Sequence, residues 1–331
     1  MRRRRLIGLT GMAALGLPRG SHAQSGSLPV VGIMLVRSDD DSARQRVAEI
    51  RKGLQQAGLV EGTHYSLAVR FANGDLSRWP SIAQELGALN PKTIVLVGYG
   101  ANIVHGVLPK MPLVITAFAV DPIKAGYAKS YAQPGGMITG NVMNALGGEE
   151  SVAQKRISLL KQLVPDLTRL GMIYVEGGFV GDIEKDGLQK VAPQLGFDLV
   201  PYSVRNLDEL QGAFASGLRD NVGAFYIAGD TLLSNNMPRV MPLAQASGKP
   251  TVGSNPEWAR AGLLMSYSTD LLDGFRRAGI YAARIVTGTN PGDLPIEQAT
   301  KFLFVINQKA ARSLGIAISP MTLALADEVV E

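Results

Sequence analysis

The chain has no cysteine among its 331 residues. Disulfide staples and thiolate metal sites are excluded, as is the lipid-modified amino terminus that requires a cysteine at its cleavage point. Histidine is scarce too: His22, His64 and His105 stand apart, with no metal-ligand spacing among them. No Gly-x-Ser-x-Gly elbow, His-Glu-x-x-His pair or phosphate-binding loop occurs, so the sequence offers no catalytic residue, no metal site and no cofactor motif. The adjacent acids Glu149 and Glu150 sit at a helix start, where they complement the dipole. Trp79 and Trp258 read as packing residues. Long apolar runs are also missing after Ala23. The longest, around Leu113 to Val120, is broken by Thr116 and falls well short of the roughly 20 residues a membrane helix needs.

The first 23 residues have a different character. Arg2 to Arg5 form a basic head, Leu6 to Leu17 a short apolar run, and Ser21-His22-Ala23 a small-residue exit before Gln24, the pattern of a signal peptide. Arg3-Arg4-Arg5-Leu6-Ile7, followed by Gly8, Gly11 and Gly16, also fits twin-arginine export, and both the Tat and the Sec route stay open. This leader holds five of the 33 basic residues and none of the 28 acidic ones, so the mature chain carries 28 of each. The net charge of +5 belongs to the leader, and a nucleic-acid partner loses its electrostatic footing. The expectation is a soluble periplasmic protein of about 300 residues, enough for two compact domains.

Past the leader, the chain states nearly the same pattern twice. Val31-Gly32-Ile33-Met34-Leu35-Val36 is answered by Leu170-Gly171-Met172-Ile173-Tyr174-Val175, and Gly53-Leu54-Gln55 by Gly187-Leu188-Gln189. Ile94-Val95-Leu96-Val97-Gly98 returns as Ala224-Phe225-Tyr226-Ile227-Ala228-Gly229, and Lys110-Met111-Pro112-Leu113-Val114 as Gly248-Lys249-Pro250-Thr251-Val252. The offsets run from 130 (Ile94 to Ala224) to 139 (Val31 to Leu170), and the order is kept. Each unit is a short apolar run followed by a helical pattern, the signature of a parallel sheet. The fold class is α/β, with two similar doubly wound parallel-sheet lobes. A cleft between them lets the strand carboxyl ends of both halves face one small molecule.

Local signals fill in the elements. The first helix puts Val47, Ile50, Leu54 and Ala57 on one face, with Ser42 and Gln45 spaced as a capping box. Glu209 makes another with the helix that follows Asn206. Leu271, Phe275, Ala278, Ala282 and Ile285 define the strongest helix, with Thr269 as its cap and with Gly274 and Gly279 suited to close approach on a sheet. The tail from there on has no counterpart in the repeat and is expected to weave between the lobes.

Several phrases carry a family resemblance over nearly the whole chain. They include Ala57-Gly58-Leu59-Val60-Glu61-Gly62, Val120-Asp121-Pro122, Gln133-Pro134-Gly135-Gly136-Met137-Ile138-Thr139-Gly140, Leu159-Leu160-Lys161-Gln162-Leu163-Val164-Pro165, Ala261-Gly262-Leu263-Leu264-Met265-Ser266-Tyr267, and Asp293-Leu294-Pro295-Ile296-Glu297-Gln298. With these the chain resembles the periplasmic ABC-transporter substrate-binding proteins of the type I periplasmic-binding-protein fold, in the group that includes tryptophan- and tyrosine-type binding proteins. The resemblance implies three hinge crossovers. The first lobe is then about Leu28 to Asn144 plus Asp270 to Gly292, and the second Ala145 to Thr269 plus Asp293 to Glu331. It also implies a receptor, not an enzyme, expected to be a monomer, that hands a small molecule to an ABC permease of the inner membrane. A ligand sensor for a signalling partner and an exported hydrolase are the alternative readings.

Candidate ligand contacts follow from strand ends. Gly98-Tyr99-Gly100-Ala101 opens a helix and reads as an anion cradle, as a plain turn, or, less fittingly, as a dinucleotide loop whose third glycine is replaced by Ile103. Ser38 either bonds the ligand or caps a helix. Asp121 either holds a ligand amine, with Phe118 or Tyr99 as an apolar wall, or forms a turn before Pro122. By the resemblance, an acid of the second lobe takes a ligand ammonium, with Asp230 the first choice and a solvated loop acid the alternative. Asn141, Glu176, Ser254, Glu257 and Tyr267 complete the set. An anion-binding pole, carboxylates and aromatic rings together suit an amino acid or related zwitterion.

Overall fold

The computed structural model describes residues 27–143 and 148–331. The leader expected at Met1 to Ala23 and the boundary expected at Asn144 and Ala145 lie outside the described residues.

The first lobe is built by β1 (Val30–Leu35), α1 (Asp41–Gln56), β2 (Ser66–Phe71), α2 (Trp79–Gly87), β3 (Thr93–Val97), α3 (Ala101–Val107), β4 (Leu113–Phe118) and β5 (Ile138–Val142). The second takes α4 (Gly148–Leu163), β6 (Arg169–Val175), α5 (Phe179–Leu195), β7 (Asp198–Val204), α6 (Leu210–Arg219) and β8 (Ala224–Ile227). It continues with α7 (Thr231–Asn235), α8 (Met237–Ala246), β9 (Thr251–Gly253), α9 (Pro256–Ala261) and β10 (Met265–Thr269). The tail adds α10 (Leu271–Val286), β11 (Ile296–Gln298), β12 (Phe302–Asn307), α11 (Gln308–Ser313), α12 (Pro320–Leu325) and β13 (Glu328–Val330).

The first sheet runs β2-β1-β3-β4-β5-β11, and the second β7-β6-β8-β9-β10-β12-β13. The shared order β2-β1-β3-β4-β5 and β7-β6-β8-β9-β10 is the repeat read from the sequence, now in space. All pairings of the first sheet are parallel. In the second, β12 pairs antiparallel with β10. Strands buried on both faces need apolar side chains of both parities. In β1, Ile33 and Leu35 join the core under α1 and α10, while Met34 joins the core on the α2 and α3 side.

The tail does weave between lobes. Helix α10 packs on α1 in the first lobe, and β12 and β13 extend the second sheet. The expected lobe boundary at Gly292 is corrected at this point: β11 lies beyond it and pairs with β5, so the first lobe keeps the chain through Gln298. An open edge on β5 is thereby covered. Helix α12 and strand β13 were not legible in the pattern, being six and three residues long. Among the described residues, no helix is long and apolar enough to cross a membrane.

Two expected caps are also corrected. Helix α1 is capped by Asp40, whose carboxylate accepts the Ala43 N–H at 2.7 Å, which leaves the Ser42 hydroxyl free for another role. Helix α10 is capped by Asp270, one residue after Thr269. An ionised carboxylate accepts more strongly than a hydroxyl and suits the positive helix end. Glu209 does fold back, onto the Arg205 N–H at 2.8 Å, while Asn206 caps the turn ahead of α6.

Gly279 approaches a helix, not a sheet. A Cβ there would lie 2.1 Å from the Ile50 carbonyl oxygen of α1, and one at Gly53 would lie 1.9 Å from the Arg276 carbonyl oxygen of α10. Backbone meets backbone, so no side chain can yield. Gly279→Ala is expected to destabilise the chain by about 1–3 kcal/mol. Gly212→Ala, in α6 with nothing within 4 Å of the added methyl, is expected to be neutral or slightly stabilising. Scanning calorimetry of the two variants checks this, and equal melting temperatures would reject the close α1–α10 contact.

Candidate ligand-binding cleft

Parallel strands deliver their carboxyl ends to one edge, and here both edges open on a shared cavity. From the first lobe come Arg37 after β1, Gly98 and Tyr99 after β3, and Ala117 and Ala119 around the end of β4. From the second come Val180 and Glu184 of α5, Gly229 and Thr231 flanking the end of β8, and Ser254 and Asn255 after β9. The centre of a water molecule can range over about 120 Å³ in this space. One water needs about 10–15 Å³, so the cavity suits a small organic molecule.

The β4 wall is shaped by a bulge. Its register with β5 shifts between Ile115 and Phe118, and Ala117 takes a left-handed φ of 51°. The irregularity turns Ala117 and Ala119 to the cleft and Phe118 inward.

Charge is concentrated at the two poles. Arg37 and Arg46 are both buried and both line the cavity. Arg37 gives one Nη to Asp40 at 3.0 Å, and the Arg46 guanidinium lies 5.3 Å over the Phe275 ring and 4.0 Å from Glu257. The Nε of each is buried without a hydrogen-bond partner. Burial, then repulsion from Arg37, lowers the Arg46 pKa to about 10, which leaves it cationic at neutral pH. Across the cleft, Glu184 is 4% exposed and accepts the Gly229 N–H at 2.8 Å, and Ser254 lines the same wall. Burial drives its carboxyl up to about 7, with Glu149 adding to the rise and Arg156 opposing it.

The lobes touch directly. The Tyr99 and Thr231 hydroxyls lie 3.2 Å apart, the Tyr99 and Phe179 rings 5.8 Å apart, and the Ser42 hydroxyl meets both Glu257 oxygens at 2.8 and 3.0 Å.

Of the residues anticipated from sequence, Tyr99 and Ser254 line this cavity. The others are placed elsewhere. Asp230 is buried with its carboxylate turned away from the cleft, accepting the Val175 and Gly181 N–H groups at 2.9 Å each, so it fastens a loop. Phe118 sits in the core, 6.0 Å from the Tyr127 ring. Ser38 lies in the turn before α1, outside the cavity lining, with its backbone carbonyl accepting the Asp40 N–H. Gly100 folds against Trp79, where a Cβ would meet the indole nitrogen at 2.8 Å. Ala101 is buried at the start of the seven-residue α3, too short to carry an anion cradle. Asp121 accepts the Ile123 N–H of its own turn, and Glu176 is exposed beside Arg205. Asn141 bonds Thr116 and the Gly274 carbonyl. Tyr267 stacks on Phe302 at 5.6 Å, and Glu257 serves the lobe contact with Ser42.

Three of these displacements are shifts of one residue. Arg37 takes the place anticipated for Ser38, Ala117 and Ala119 that of Phe118, and Gly229 and Thr231 that of Asp230. Neighbours at a strand end point to opposite faces, so one step exchanges cleft for core. Arg46 and Glu184 were missed although a signal existed: each is a charge on a buried helix face, Arg46 with Glu49, Ile50 and Leu54 following it and Glu184 with Leu188 and Val191.

The chain matches the family of ABC transporter substrate binding proteins across residues 31–330, and it belongs to that family. It is 24% identical over 266 residues, 80% of this chain and 75% of the relative, to a tyrosine-binding protein of Clostridioides difficile. Its fold resembles that of a domain from Streptococcus pneumonia in complex with L-Trp, at 23% identity and a TM-score of 0.80, covering 92% of this chain and all of that one. It also resembles a ligand-free, open substrate-binding protein with adhesive properties from Clostridium difficile, at 20% identity and a TM-score of 0.70, covering 92% and 99%. The two-lobed α/β architecture is thus the one these proteins share.

Burial of Glu184 has a measurable consequence. Its folded pKa of about 7 lies above the ordinary 4.5, so its contribution to stability is fully present below 4.5 and is lost as pH rises to about 7. The ligand-free chain is expected to lose on the order of 3 kcal/mol across that window through this group. Glu184→Gln should flatten the difference. Parallel melting-temperature profiles for the variant and the native chain between pH 4.5 and 7 would show that Glu184 is not desolvated.

Proposed function

We propose that the chain is an exported receptor for an amino acid, taken up between the lobes and delivered to an ABC permease in the inner membrane. The observation that carries this reading is the pair of buried guanidiniums on one lobe facing a buried carboxylate on the other. A ligand carboxylate supplies the acceptor that the Nε atoms of Arg37 and Arg46 lack. A ligand ammonium meets Glu184 and stabilises its ionised form. Ser254 and Asn255 bridge the poles: Ser254 shares a wall with Glu184, and Asn255 shares one with Arg46.

The apolar remainder of the cleft, with Tyr99 and Phe179 against each other, suits an aromatic side chain. The similarity to a tyrosine-binding protein and to a structure holding L-Trp points the same way. Among the described residues, the chain crosses between lobes at Thr269 to Asp270 and at 299–301. These segments form the proposed hinge, with the leader removed on export and the mature chain acting as a monomer.

A thermal-shift panel of L-amino acids, sugars and small acids tests the ligand class. An aromatic L-amino acid at about 100 times its dissociation constant should stabilise the chain by about 2.7 kcal/mol. Arg46→Ala and Glu184→Gln should each weaken that binding by about tenfold or more, the scale of one lost hydrogen bond to a charged group. Affinity should rise with pH up to about 7 in the native chain, because binding needs ionised Glu184. Stabilisation by sugars alone would reject the amino-acid ligand, and steady turnover of a bound compound would reject the receptor reading.

A further inference from the structure

The cleft does not stop at Glu184. Behind it the space continues into a smaller chamber, and Ala119, Met143, Val180, Glu184 and Ser254 line both. There the centre of a water molecule ranges over about 30 Å³. At about 10–15 Å³ per water, that is room for two waters or one small polar group, not for a side chain of any size.

The chamber's polar lining is Glu149, Arg156, Glu184, Ser254, Ser268 and Thr269. Arg156 is committed: Nη1 donates to Glu149 at 3.0 Å and to the Tyr226 hydroxyl at 2.7 Å, and Nε donates to the Tyr267 carbonyl at 2.7 Å. Glu149 is thus paired with Arg156, while Glu184 lines the same chamber and adds acceptor oxygens to it. Thr269 sharpens this. It is 5% exposed, and its Oγ1 is buried without a hydrogen-bond partner. A buried hydroxyl that lines the same small chamber as two acids makes a seat for a compact group with several donors.

We propose that this chamber receives the primary ammonium of the ligand, with Glu149 and Thr269 as contacts beyond Glu184, so that the protein selects primary amines. Three N–H donors then face Glu184, Glu149 and the Thr269 hydroxyl. An N-methyl group replaces one of the three donors, which leaves one of these acceptors facing a methyl group in place of an N–H. The inference rests on the amino-acid reading of the cleft but makes a separate claim, because that reading requires only Glu184 at this pole.

Calorimetric titration with L-tryptophan and N-methyl-L-tryptophan separates the two. The native chain should bind L-tryptophan at least about tenfold more tightly than the N-methyl compound. Glu149→Gln keeps an oxygen for Arg156 and should weaken L-tryptophan by about tenfold while moving the N-methyl compound by no more than about twofold. Thr269→Val, nearly isosteric, should weaken L-tryptophan by about threefold or more. Unchanged ligand-free melting temperatures in both variants show that the fold is intact. If both variants bind L-tryptophan within about twofold of the native chain while Glu184→Gln loses it, the chamber is unused and the proposal fails alone. If the native chain binds no amino acid, the cleft reading fails and takes this proposal with it.

Discussion

A parallel sheet imposes one constraint from which the rest follows. Every strand must be returned across a face of the sheet, so all carboxyl ends emerge at the same edge. With the β2-β1-β3-β4-β5 order repeated in both lobes, two such edges are brought face to face. The cavity is the space between those edges, and its chemistry is set by the loops that leave them. The close packing of α10 on α1 belongs to the same constraint: α10 follows β10 of the second sheet yet lies on the first, which ties the lobes through the chain itself.

Electrostatics then separates a mere cavity from a receptive one. Burying Arg37, Arg46 and Glu184 is unfavourable unless each is paired, and the pairing present is incomplete. In the proposed cycle a zwitterion supplies the missing acceptor at one pole and the missing cation at the other. Its binding energy is greatest when both lobes contribute, which favours the closed arrangement. Contacts such as Tyr99 with Thr231 and Ser42 with Glu257 also join the lobes directly, so the two faces of the cleft are complementary to each other.

The architecture was largely legible in the sequence because it rests on periodicity and repetition. The match of Val31–Val36 to Leu170–Val175 identified β1 and β6 as equivalent, and the Leu271 to Ile285 spacing located α10. The cleft residues were less legible, because a strand end places neighbouring residues on opposite sides. Reading Ser38, Phe118 and Asp230 in place of Arg37, Ala117 and Gly229 is a slip of one step that reverses the direction of a side chain. Asp230 also illustrates a second difficulty. A strand-end carboxylate serves equally to bind a ligand or to gather two backbone N–H groups, and only three-dimensional proximity separates the two. Arg46 and Glu184 sit one helical turn ahead of Ile50 and Leu188, where a charge on an otherwise apolar helix face was the available signal.

A crystal structure of the mature chain grown with L-tyrosine tests the chemistry of the cleft most directly. The predicted result is an amino acid between the lobes, with its carboxylate on Arg37 and Arg46, its ammonium directed to Glu184 and its ring beside Tyr99 and Phe179. A ligand bound with carboxylate and ammonium exchanged, or held without contact to Arg46 and Glu184, would contradict it.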